Sequence, residues 1–314
     1  MSAFRLKFVK DKTNINFVSG HKLAFAVSIC VVLLTVGLMF TRGLNFGIDF
    51  TGGVLIEVKM PETMKIEDIR SSLKELSTGT PTLQEFGENS VMIKIPGKDL
   101  DTEGQKAIYA EVQSHLGDKV EFRRNEYVGP QVGSELIIAG VKAFVYSMLG
   151  IMAYIWMRFE WQFGVTGIVA LVHDMCAIML FFLITQYEFD LSTVAAALLV
   201  AGYSINETVI IFDRIREMMR KYRKAPMNEI INMALNDTLS RTVMTTLSTF
   251  MAMASLAYYG SAAIQGFSYA MLIGIFFGPY SSMFISGPLL LYLNPRPEQQ
   301  SASMQNGQSE AHQS

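Results

Sequence analysis

The sequence predicts a polytopic α-helical membrane protein with one small α+β domain, on three observations. Half of its 314 residues are hydrophobic, 20 are methionine, and the mean hydropathy is positive. Apolar stretches close to the ~20 residues needed to cross about 30 Å of hydrocarbon recur at 23–41, 136–156, 163–184, 189–212, 243–259 and 267–293, six in all. Between the first and second stretches the pattern changes to short strand-like and helix-like runs.

The first stretch follows Arg5, Lys7, Lys10, Lys12 and Lys22, as a secretory signal would. It outruns the roughly 7–15-residue core of such a signal, and no small-x-small cleavage site closes it, so it reads as a retained helix. In the next segment, 54–58 is a β-branched run, and Ile66, Ile69, Leu73 and Leu76 then recur every three or four residues. Runs at 82–86 and 91–95 flank Gly87-Glu88-Asn89-Ser90, a hairpin-turn sequence; 102–116 is helical by spacing and 119–127 alternates. The resulting order, β-α-β-β-α-β, predicts a ferredoxin-like sandwich of four antiparallel strands with both helices on one face. No cluster at metal-ligand or catalytic spacing occurs in it, so it reads as a docking surface or a structural cap.

Orientation follows from the short loops, because Lys and Arg accumulate on the cytoplasmic side. The N-terminus is basic, and the loop after the fourth stretch carries Arg214, Arg216, Arg220, Lys221, Arg223, Lys224 and Arg241. Loops near Gln186 and Ser261 carry no basic residue. The expected plan is a cytoplasmic segment 1–22, a helix at 23–41, an external domain at 42–135, helices two to six within 136–293, and a disordered cytoplasmic tail at 294–314 rich in Gln and Ser. Basic residues that lie in specific loops rather than in one stripe, with a net charge of −2, give no nucleic-acid footprint. Cys30 and Cys176 lie in apolar stretches as small hydrophobes and say nothing about redox compartment.

Polar residues inside the apolar stretches are the candidate site. An acidic side chain at bilayer depth costs at least roughly 2.5–3.5 kcal/mol, so it persists only with a partner, a water path or a proton. Glu207 lies about five residues from the end of the fourth stretch, roughly 8 Å deep by the helical rise. Arg241 starts the next stretch from the same side, so its guanidinium can snorkel in, pair with Glu207 and compete with a proton for it, with Asn206 bridging water. A static polar lock between helices is the plain alternative. Asp174, beside His173, lies mid-span, roughly 16 Å from either end, as a relay member or as a neutral hydrogen-bonded acid. Asp213, beside Arg214, reads as an interfacial ion pair. Gly274, Gly278, Pro279, Gly287 and Pro288 should weaken the last helix, and Ala195 to Ala197 with Gly202 should let the fourth approach a neighbour closely.

Several ordered motifs carry a resemblance. Gly47-Ile48-Asp49-Phe50-Thr51-Gly52-Gly53 follows the first stretch; Val128-Gly129-Pro130 and Val132-Gly133-Ser134-Glu135-Leu136 open the second, and Arg158-Phe159-Glu160-Trp161 closes it. Gly202-Tyr203-Ser204-Ile205-Asn206, Phe212-Asp213-Arg214, Ser240-Arg241-Thr242 and Gly278-Pro279-Tyr280-Ser281-Ser282 follow. Together they resemble the SecF subunits of bacterial SecDF, over nearly the whole chain to about residue 293. The resemblance implies one six-helix half of an RND-type architecture in the bacterial inner membrane. It implies SecD as partner, the SecYEG channel with YajC and YidC as neighbours, and membrane lipid around them. It also implies proton- or sodium-driven pulling on a translocating preprotein, with no cofactor beyond the ion. One departure matters: the family commonly has Asp after the Asn of the fourth-helix motif, where this chain has Glu207.

No zinc-protease motif, Ser and His arrangement or matched pair of catalytic aspartates accompanies His173-Asp174, so an intramembrane enzyme is not expected. Half of a small-molecule RND exporter and a non-conducting assembly scaffold are the competing readings.

Overall fold

The computed structural model describes residues 13–74, 76, 81–86, 89–96, 102–260 and 262–295. Arg5, Lys7, Lys10 and Lys12, the turn residues Gly87 and Glu88, and the tail from 296 onward lie outside the described residues.

Helix α1, His21–Thr41, is apolar on every side, with Leu23, Ile29, Leu33, Leu34 and Phe40 exposed. A soluble helix would bury one stripe and solvate the other, so this surface suits hydrocarbon. Its buried side holds Ala24, Ser28 and Thr35, and Thr35 Oγ1 donates to Cys176 O on a neighbouring helix at 3.1 Å. A single turn, α2 (Ile48–Thr51), then leads into strand β1, Gly53–Lys59. Gly52 (φ 70°) and Gly53 (φ 138°) make that transition in backbone conformations a side chain would strain.

The domain continues through α3 (Ile66–Ser72), β2 (Thr82–Phe86), β3 (Ser90–Pro96), α4 (Thr102–Leu116) and β4 (Glu121–Val128). The sheet order is β2-β3-β1-β4, with every pairing antiparallel. Central β1 buries Val54, Ile56 and Val58 opposite Ile95, Ile93 and Val91, so one face of the pleat becomes continuous core. Ile69 and Leu73 from α3, and Ile108, Val112 and Leu116 from α4 at helical spacing, close that core. On the opposite face, Leu55 and Met92 pack with Ile48 of α2.

The remaining elements are helical: α5 (Pro130–Arg158), α6 (Trp161–Thr185), α7 (Leu191–Lys221), α8 (Met227–Tyr259), α9 (Ala262–Tyr280), a π-helical turn at Ser281–Ser286, and α10 (Gly287–Leu293). Gly129 is the N-cap of α5 and Pro130 its first residue, where a missing N–H costs nothing. Among the described residues, five helical segments are long and apolar enough to cross a membrane: 18–41, 132–158, 161–185, 191–221 and 264–293. The expected stretch at 243–259 forms the second half of α8, where Thr245, Thr246, Ser248 and Thr249 dilute its hydropathy.

Two dry cores hold the bundle. Near the domain, Ile178, Phe182, Ala196, Ala197, Val200, Ala270, Met271 and Ile275 pack α6, α7 and α9 together. A Cβ on Gly274 would overlap the Val200 side chain, so this seam requires glycine. At the far end, Phe159, Phe163 and Phe212 meet edge to face or tilted with centroids 5.1–5.9 Å apart, among Ile205, Ile211 and Ile215. Gly202, expected to permit close approach, instead faces open space on the exposed side of α7. The small residues that α7 uses are Ala196, Ala197 and Ala201 on its buried face.

Candidate functional site

The buried face of α7 runs through Thr193, Ala196, Ala197, Val200, Ala201, Ser204, Glu207, Thr208, Ile211 and Phe212. Ser204, Glu207 and Thr208 are three and four apart, so they share one face and fall between the two dry cores. The result is a polar belt at the middle of the bundle, containing both predicted intramembrane carboxylates in different surroundings.

Asp174 on α6 is fully buried. Ser204 Oγ donates to its Oδ2 at 2.5 Å, Ser281 Oγ donates to the same oxygen at 2.8 Å, and His173 Nδ1 lies 3.3 Å from Oδ1. These contacts tie α6 to α7 and to the first residue of the π-helical turn. Next to it, the hydroxyls of Thr208 and Ser282 are 2.7 Å apart, and Thr208 Oγ1 also donates to Ser204 O. A π turn leaves local backbone spacing irregular and here brings two consecutive serines into the belt. The expected weakness of the last helix around Gly278 and Pro279 takes this form.

Glu207 is 5% exposed and accepts a short hydrogen bond from Thr242 Oγ1 on α8. It lines a cavity of about 220 Å³ with Tyr203, Asn206, Ile210, Arg241, Thr245, Ser248 and Thr249. Asn206 and Arg241 are exposed at that cavity. The expected Glu207–Arg241 ion pair is absent among the described residues. The two charges share the cavity wall, while the neighbouring Thr242, pointing into the bundle, takes the direct contact. Consecutive helical residues point about 100° apart, so Thr242 points to the carboxylate while Arg241 lies at the cavity beside it.

Asp213 forms the expected interfacial pair with a different partner. Arg158 Nη2 donates to both of its oxygens at 2.8 and 3.0 Å, tying α7 to the end of α5. Arg214 turns instead to Glu217 and to Asp237 on α8. Asp49 lies outside the belt, at the start of α7, where its Oδ2 accepts from Leu191 N at 2.9 Å. Close by, Lys94 Nζ on β3 is 3.5 Å from Glu188 Oε1 and also donates to Phe46 O. Burial raises the Glu188 carboxyl above its ordinary range, against the opposing pull of Lys94, while Asp190 adds to the rise. Burial, with Tyr269 adjacent, pushes the Tyr187 hydroxyl to about 12.

Sequence reasoning missed Ser281, Ser282, Thr208 and Thr242 as partners. The available signal was position: Ser204 and Thr208 share a face with Glu207, and hydroxyls flank each buried acid at helical spacing. Among the described residues, no group of three or more His, Cys, Asp and Glu side chains could hold a metal ion.

The fold and site together define an integral-membrane protein built on a helical bundle with buried carboxylates and one small α+β domain. The family described as protein export membrane protein SecD/SecF, C-terminal, matches residues 108–296, and the SecD/SecF GG motif matches residues 37–60. Protein translocase subunit SecF of Rickettsia felis is 41% identical over 293 residues, covering 92% of this chain and 95% of its own. The same subunit of Rickettsia bellii is 41% identical, covering 92% of this chain and 97% of its own. The crystal structure of SecDF from Thermus thermophilus matches with a TM-score of 0.83 at 30% identity, over 92% of this chain. SecDF in its super-membrane-facing form matches with 0.68 at 31% identity, over 93% of this chain. The chain spans about 40% of each of those SecDF chains. This chain belongs to the SecD/SecF family of protein export membrane proteins.

Proposed function

We propose that this chain works as the SecF-type half of a SecDF-type assembly, using the proton or sodium gradient to promote late, ATP-independent steps of preprotein export through SecYEG. Glu207 takes up the ion in competition with the Arg241 guanidinium, Asn206 bridges water to either, and Asp174 continues the path. The observation that carries this reading is a nearly buried carboxylate with one hydroxyl partner, sharing a small polar cavity with an unpaired-to-it arginine on the next helix. Such a carboxylate can change its charge state without breaking an ion pair first. One elementary charge crossing 100 mV releases about 2.3 kcal/mol, so a few ions per cycle suffice to bias a domain motion.

In this reading the second half of α8 serves as a sixth span beside the five apolar helices, and the external domain is ferredoxin-like. The β-α-β-β-α-β order and the strand sequence β2-β3-β1-β4 support the latter. The chain sits in the bacterial inner membrane with both termini cytoplasmic, beside a SecD-type partner, YajC and YidC, and acts without a cofactor and without enzymatic chemistry. The static-lock reading has one observation in its favour, the Glu207–Thr242 hydrogen bond, which joins α7 to α8 without involving Arg241.

The test is translocation of a secreted preprotein into vesicles, with ATP exhausted at an intermediate stage and the gradient on or off. Glu207→Gln and Arg241→Met should each abolish gradient-driven completion while assembly with the partner stays normal. Unchanged completion in both variants would leave the polar belt as a helix-to-helix lock.

A further inference from the structure

The α+β domain meets the bundle at several neighbouring points, and one of them is the start of the helix carrying Glu207. Leu191 is the first residue of α7, and its N–H has no partner within the helix. The helix's own N-cap, Asp190, spends Oδ1 on Thr193 N, Thr193 Oγ1 and Ser192 Oγ. Leu191 N is satisfied from outside, by Asp49 of the single turn α2, 142 residues away in the chain. A carboxylate there also faces the positive end of the α7 dipole.

Asp49 is itself fixed from both ends of the domain. On the entry side, Gly52 and Gly53 turn the chain from α2 directly into β1, the central strand. On the exit side, the first turn of α5 lies against α2, and a Cβ on Gly133 would come within 3.2 Å of Phe50 O and 3.3 Å of Asp49 O. A second attachment lies beside it, where Lys94 of β3 meets Glu188 with both side chains largely buried. Backbone bonds Gly47 N to Phe189 O (2.9 Å) and Phe189 N to Asn45 O (2.8 Å) hold the two loops in register. From Leu191 to Glu207 is 16 residues of unbroken helix, roughly 24 Å at the helical rise. An element that stiff carries an axial shift or tilt at Glu207 to its N-terminus.

We propose that Asp49 is a positioning residue that links the external domain mechanically to α7, with the Lys94–Glu188 pair as a second point of the same clamp, so that movement of the Glu207 helix becomes movement of the domain. This inference rests on the ion-coupled reading above.

The experiment uses the assembled complex in proteoliposomes, on a background lacking Cys30 and Cys176. A cysteine at Ser248, in the wall of the Glu207 cavity, reports its modification rate by a small thiol reagent; spin labels at Lys74 of the domain and Phe40 of α1 report their separation. In wild type, imposing the gradient should change both readings. In Asp49→Ala combined with Lys94→Met, the Ser248 rate should keep its response while the label separation loses its shift. Asp49→Asn, which retains a carbonyl acceptor for Leu191 N, should recover the shift, so that loss in the double variant is not a folding defect. A label shift that survives in the double variant would overturn the clamp. A wild type in which neither reading responds would overturn the ion-coupled reading and the clamp with it, an outcome distinct from the first.

Discussion

Asp174 and Glu207 are carboxylates on adjacent helices within one polar belt, yet their surroundings differ in kind. Asp174 is sealed, and two serine hydroxyls converge on one of its oxygens while His173 adjoins the other. Glu207 has one hydroxyl partner, and its cavity also holds Asn206 and Arg241. A buried acid held by several hydroxyls joins the elements that carry them, and changing it removes their acceptor. An acid with one hydroxyl partner at a cavity loses fewer contacts when its state changes. The same distinction separates both from Glu188, a third largely buried carboxylate at the domain junction, whose partner is a lysine.

The largest effect expected is at the joint. Asp174→Leu overfills a sealed site, removes the acceptor of Ser204 and leaves Ser281 only Gly278 O, costing about 3 kcal/mol. Thermal unfolding of the detergent-solubilised protein should fall accordingly, with Asp174→Asn losing far less. An Asp174→Leu protein as stable as wild type would break the comparison. Second is the dry seam on the domain side of the belt, where Gly274→Ala should cost about 2 kcal/mol by overpacking against Val200. Adding Val200→Ala should return most of that stability, since the clash is with that side chain. Third, Thr242→Val removes the direct hydrogen-bond partner that Glu207 has among the described residues and should cost about 1 kcal/mol, the scale of an interhelical hydrogen bond in a membrane bundle. A cost equal to that of Asp174→Leu would mean that the two acids are held alike.

The smallest effect is a pH dependence at the junction. Because burial raises the Glu188 carboxyl, the folded state holds its proton more tightly than the unfolded chain does. The stability from this group is therefore complete below the ordinary carboxylate range and declines as pH rises through the raised folded value. Glu188→Gln mimics the protonated form, so wild type should match it at acid pH and fall behind it towards neutral pH. Melting curves of the two proteins across that range provide the measurement, and a constant offset would contradict the assignment.

Much of the fold was legible along the chain. Four of the apolar stretches become α1, α5, α6 and α7, the last becomes α9 through α10, and the β-α-β-β-α-β order of 53–128 follows the sequence reading. Hydropathy and periodicity are local quantities, and each of these elements is specified by about 5–20 neighbouring residues. The stretch at 243–259 marks the edge of that legibility, because its threonines and serines bond back to their own helix, as Thr249 Oγ1 does to Thr245 O. Residues of that kind are compatible with a helix in lipid and with one packed against protein, so composition leaves the choice open.

At the candidate site, the anomalous residues stand out along the chain: an acid in the third and fourth apolar stretches, an arginine opening the next, and paired glycines after the first. Their partners were decided by tertiary structure alone. Glu207 bonds Thr242 rather than Arg241, Asp213 bonds Arg158 rather than its neighbour Arg214, and Asp49 caps a helix 142 residues away. A one-residue difference in which side chain faces a neighbour is a rotation of about 100° about a helix axis. That rotation is set by how ridges and small residues on separate helices fit, as Gly274 fits Val200, and no run of consecutive residues contains it.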